Sequence, residues 1–95
     1  MEDEQEIPGE WETIEEYFNG NFKLIAEYRN PETGEKVTIC PYKTYDHVPG
    51  FCNSHKVTYT SENGETETVA KGLSQAEHPE DAKERAVSKI QEVTA

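Results

Sequence analysis

Cys40, His47, Cys52 and His55 are the residues whose chemistry and spacing stand apart in this chain of 95 residues. They form a Cys-x6-His-x4-Cys-x2-His series, and two thiolates with two imidazoles make a common tetrahedral zinc set. Zinc modules normally open on a tight pair of cysteines, which is missing, so only Cys52 and His55 have the short spacing of a ligand hook. The four residues are the candidate metal ligands, against the alternative of half-buried cysteines and loop histidines facing water. A Cys and His nucleophile pair, with Asp46 orienting an imidazole, would also need a pocket and an oxyanion site. No Gly-rich loop or nucleophile motif supplies them, so no catalytic residue is assigned and the chain is expected not to be an enzyme. A disulfide between Cys40 and Cys52 would close a short loop. Without an apolar leader the chain is expected in the cytoplasm, where thiols stay reduced.

The second chemical signal is charge. The net charge is −11, and residues 1–20 hold eight acids and no base. Such a balance disfavours direct binding to nucleic acid or to an anionic membrane, because both depend on Lys and Arg displacing counterions. A basic protein partner, such as one that itself binds nucleic acid, is the expected counterpart. Glu10, Trp11, Glu12, Glu15 and Glu16 are the expected contact residues, the carboxylates standing in for phosphate and the aromatic supplying an anchor. Small phage-type inhibitors of nucleases mask basic surfaces in this way. The alternative function is a zinc-stabilised structural or interaction module built on the Cys/His series.

These residues need elements to position them, and the hydrophobic periodicity predicts an α+β domain. Trp11, Ile14, Tyr17 and Phe18 recur at helical spacing ahead of Asn19-Gly20, which predicts an amphipathic helix over residues 10–20. Phe22, Leu24, Ala26 and Tyr28 alternate with Lys23, Ile25, Glu27 and Arg29, the period of a half-buried strand. Asn30-Pro31-Glu32-Thr33-Gly34 then supplies turn chemistry, and Lys36 to Cys40 returns as a second strand until Pro41. Residues 41–54 read as a crossover insert. His55–Thr60 and Thr66–Lys71 form a second hairpin around Asn63-Gly64. Pro79 opens a closing helix whose apolar stripe is Ala82, Ala86, Ile90 and Val93, with Val87 at its edge.

The expected architecture is one antiparallel sheet of about four strands, in two hairpins, with an N-terminal and a C-terminal helix on one face. Residues 1–9 are expected to be a flexible acidic terminus and 10–95 a single domain. Helix, antiparallel sheet and closing helix, with Ala82-Lys83-Glu84-Arg85-Ala86 in the last, resemble the double-stranded-RNA-binding domain at the level of fold. That family grips phosphate with a basic pair opening its final helix, where this chain carries Glu80 and Asp81, so RNA binding is not expected.

Overall fold

The computed structural model describes residues 7–19, 23–44, 52–72 and 75–94, with Asn19, Lys23, Lys43, Thr44, Cys52 and Asn53 described by backbone alone. Five strands follow one another as β1 (Glu12–Asn19), β2 (Lys23–Arg29), β3 (Lys36–Thr44), β4 (Cys52–Thr60) and β5 (Thr66–Lys71). They lie side by side in chain order, each antiparallel to the next. One helix among the described residues, α1 (Pro79–Thr94), follows the strands and packs across β3, β4 and β5. The α+β class and both hairpins are as expected, but the sheet has a fifth strand and the N-terminal helix is not there.

Residues 12–19 form β1, and a bulge within it hides the strand period. Pairing with β2 runs Thr13↔Tyr28 and then Glu15↔Glu27, which leaves Ile14 as the extra residue. A bulge shifts alternation by one position, so a strand with apolar residues on both sides of it imitates helical spacing. Thr13, Ile14, Tyr17 and Phe18 favour extended backbone, and a short isolated helix would gain little to oppose that preference. Asn19, expected to stop a helix, instead ends β1 opposite Lys23, and Gly20 lies outside the described residues.

The expected crossover at 41–54 is also different. β3 continues through Pro41 to Thr44, and β4 starts at Cys52, so the two are direct neighbours joined through residues 45–51. Pro41 does not end the strand. It sits opposite His55 on the β4 side. On the β2 side the ladder stops at Ala26↔Ile39, because continuing it would set Leu24 against a residue with no N–H to give.

One face of the sheet holds Leu24, Ala26, Tyr28, Val37, Ile39, Val57 and Ala70, all buried, against Ala82, Ala86 and Ile90 of α1. The apolar stripe expected on the helix is the stripe that packs, with Val87 fully buried beside it. Trp11 belongs to the same core at 5% exposure. The packed body reaches back to Ile7, which lies against that core, while residues 1–6 fall outside the described set. Lys89 crosses from the helix to the β5 edge, where its ammonium stands 3.0 Å from Glu67 and over the Tyr59 ring. Tyr59 donates its hydroxyl to Glu35 at 2.6 Å; burial, then that bond and the Glu35 charge, push its pKa up to about 12.

The hairpin between β2 and β3 closes as its sequence suggests. The Asn30 side chain accepts the Glu32 N–H at 3.0 Å, and Gly34 takes a φ of 83°, which a side chain would oppose. Among the described residues no helix is long and apolar enough to cross a membrane.

Candidate functional site

β1 lies at one edge of the sheet, so along its outer side its backbone groups have no neighbouring strand among the described residues. Its side chains alternate between two environments. Glu16 and Phe18 pair with Ala26 and Leu24 and so stand on the helix side, whereas Glu12, Glu15 and Tyr17 pair with Arg29, Glu27 and Ile25 on the open side. Ile14, Tyr17 and Phe18 are 46%, 53% and 56% exposed. Three large apolar residues half in water on one unpaired edge mark a surface that has not finished burying itself.

Beneath Phe18 an open groove of about 300 Å³ separates β1 from the start of α1. Phe18, Leu24 and Pro79 form its apolar walls, and Glu16, Glu80 and Lys83 its charged rim. Glu16 is fixed there, with the Lys83 ammonium 2.7 Å from Oε2 and the Tyr28 hydroxyl donating to the same oxygen at 3.3 Å. Burial, followed by the Glu16 charge, holds the Tyr28 hydroxyl protonated far beyond its ordinary range. A strand added beside β1 would send alternate side chains toward this groove.

Of the expected contact residues, Glu10, Glu12 and Glu15 are exposed near or on this edge. Glu16 is exposed as a residue but already tied to Lys83. Trp11 is placed elsewhere. Its indole N–H donates to Thr94 Oγ1 at 2.9 Å, pinning the start of β1 to the end of α1, so it anchors the fold from within. Ile14, Tyr17 and Phe18, expected along an amphipathic helix, are instead exposed on this strand edge beside those acids.

The Cys/His series is divided by strand alternation. Cys40 pairs with Lys56 and carries a free, exposed thiol on the open side, whereas His55, opposite Pro41, is fully buried on the helix side. Those two side chains are not brought together. Cys52 is placed by its backbone opposite Thr44, and Asp46 and His47 lie outside the described residues. Among the described residues no three Cys, His, Asp or Glu side chains gather as metal ligands.

His55 has a different task. Its Nε2 accepts the Leu24 N–H at 3.1 Å, a donor that lies beyond the end of the β2–β3 ladder at Ala26↔Ile39. Accepting there puts the imidazole proton on Nδ1. Its backbone N–H donates to Ala76 at 2.8 Å and its carbonyl accepts from Gly72 at 3.1 Å, which fastens the segment leading to α1. Burial lowers the imidazole pKa below its ordinary value, the Ala76 carbonyl opposes that, and the nearby His78 adds to it. The one signal for this role in the sequence is a histidine set two residues before Val57 in a half-buried strand.

No protein-family model, curated protein or solved structure matches the chain.

Proposed function

We propose that this is a non-enzymatic protein-binding domain whose β1 edge takes up an extended, basic segment of a partner protein. The observation that supports this reading best is the unpaired edge carrying Ile14, Tyr17 and Phe18 exposed among Glu10, Glu12 and Glu15. Strand addition supplies affinity through main-chain hydrogen bonds, and specificity through side chains alternating into pockets. Here the groove under Phe18 suits an aliphatic stem, with Glu80 on the rim free to meet a cation at its end while Glu16 stays paired with Lys83. The acids also repel like edges and so discourage self-pairing through β1, while they attract a basic chain. In masking a basic surface, the domain acts as an inhibitor of its partner.

Pull-down at low and high salt, with the bound proteins identified by mass, tests this. A basic partner captured at low salt is expected to be lost at high salt. It is also expected to be lost from Glu10→Lys/Glu12→Lys, and at least about tenfold weaker with Phe18→Ser, which empties the centre of the contact. A partner whose binding ignores salt and all three substitutions contradicts the proposal.

A further inference from the structure

Glu15 to Phe18 form the regular part of the β1 edge. The bulge at Ile14 interrupts pairing on the N-terminal side, and from Glu15 the register runs without a break to Asn19. Glu16 and Phe18 stand on the helix side, Glu15 and Tyr17 on the open side. An added antiparallel strand must match this order, because residues directly opposite one another share a face, with Cβ atoms about 4.5–5.5 Å apart.

The three acids within reach of such a strand are not equivalent. Glu16 Oε2 already holds the Lys83 ammonium at 2.7 Å and accepts from the Tyr28 hydroxyl at 3.3 Å. Its charge is answered within the fold, and a second cation beside it would face Lys83. Glu15 is the reverse case. It stands directly opposite Glu27, and like charges at paired positions destabilise a sheet. Arg29 lies 3.2 Å from Glu27 and answers only that inner carboxylate. The third acid, Glu80, lines the groove under Phe18 and also an adjoining opening of about 280 Å³ shared with Phe18, His78 and Pro79. Among the described residues no base lies within ion-pair distance of Glu15 or Glu80.

We infer that the β1 edge selects an extended segment whose two cations are three residues apart. The inference rests on the strand-addition reading above and gives it a register. Read from its N-terminus, an antiparallel partner strand lies opposite Phe18, Tyr17, Glu16 and Glu15 in turn. Its first side chain, on the helix side, runs an aliphatic stem along Phe18 and Pro79 and ends its cation at Glu80. The second meets Tyr17 on the open side, where a β-branched or aromatic residue pairs well. The third meets the Glu16–Lys83 pair and is uncharged. The fourth sets a cation against Glu15 and relieves its repulsion with Glu27. Side chains three apart in a strand point to opposite faces, so one cation goes to each side of the sheet. Lys-Val-Thr-Lys has this order. An alternating sequence keeps all its cations on one face and answers Glu80 or Glu15, never both.

Isothermal titration calorimetry of the full chain at low salt tests this. The probes are three end-blocked peptides of one composition, with the cores Lys-Val-Thr-Lys, Lys-Val-Lys-Thr and Lys-Lys-Val-Thr between identical Ser/Thr flanks. The first is expected to bind at least about fivefold tighter than the other two, which lose the pair at Glu15 or bring a cation to Lys83. Glu15→Lys is expected to reverse the choice at the fourth position, so that a Lys-Val-Thr-Glu core binds better than Lys-Val-Thr-Lys. Glu15 is exposed and its replacement removes a repulsion, so the circular dichroism of that variant is expected to match the parent. Lys83→Gln frees Glu16, and the Lys-Val-Lys-Thr core is expected to gain on Lys-Val-Thr-Lys. Equal affinity of the three peptides for the unaltered chain overturns the register and leaves strand addition standing, as does a folded Glu15→Lys chain that keeps the original order. No binding by any of the three overturns the strand-addition reading, and the register with it.

Discussion

Trp11→Ala is expected to cost about 4 kcal/mol of folding stability, in the range of large aromatic deletions from a core. The indole is 5% exposed and its N–H donates to Thr94 Oγ1, whose own hydroxyl donates back to the Ile90 carbonyl at 2.6 Å. Removing the ring opens a void between the start of β1 and the last turn of α1, and leaves β1 held mainly by its pairing to β2. Thr94→Val, which removes the hydroxyl and keeps the volume, is expected to cost about 1–2 kcal/mol, chiefly through the unpaired indole N–H. Urea denaturation measures both. A Trp11→Ala chain of unchanged stability would mean that the ring is not part of the core, and would return it to the role of exposed anchor that its place among the acids first suggested.

His55→Ala is expected to cost about 3 kcal/mol, combining a buried cavity with a stranded Leu24 N–H. For a domain of this length that is a shift in Tm of roughly 12–24 °C. His55→Gln keeps an acceptor and is expected to recover part of the loss. The imidazole also sets a pH dependence with a definite sign. Its pKa in the folded chain lies below the ordinary 6.5, so the unfolded chain binds the proton first as pH falls. The stabilisation is complete above about pH 6.5 and is lost progressively below it, toward the lower pKa of the folded state. The quantity to measure is the difference between wild type and His55→Gln, which isolates this imidazole from every other group. That difference is expected to narrow between pH 7.5 and pH 5. A constant difference would show that His55 is not held neutral by the fold.

Most of the sheet could be read from the residues themselves. Leu24, Ala26 and Tyr28 alternate cleanly, Asn30 to Gly34 and Asn63-Gly64 name their turns, and Pro79 marks the start of α1. What could not be read depended on register. The bulge at Ile14 hides the alternation of β1, and nothing local distinguishes a bulged strand with Tyr17 and Phe18 on opposite sides from one turn of an amphipathic helix. The Cys/His series drew attention because its members are close in sequence. Strand alternation nevertheless sends Cys40 and His55 to opposite faces although their strands are adjacent, and spacing along a chain does not show which way a side chain points. His55 became intelligible through the end of the β2–β3 ladder at Ala26↔Ile39, beyond which the Leu24 N–H is taken by the imidazole instead of by β3.

The same register changes the account of charge. Composition places the acidity in the first twenty residues, and the structure divides that segment between the β1 edge, a fixed pair of Glu16 with Lys83, and residues outside the described set. It also shows that an acidic chain can hold a basic strip, because alternation sorts Lys56 and Lys71 onto one side of their strands.

An NMR titration of the isotopically labelled chain with a peptide alternating Lys and Val tests the β1 edge most directly. At low salt the backbone amides of Glu12–Asn19 are expected to shift and to become protected from exchange, with Phe18 and the first turn of α1 responding as the groove fills, and high salt is expected to reverse these changes. Shifts confined to β5 or to the open face, or none at all while the chain remains folded, would contradict the account.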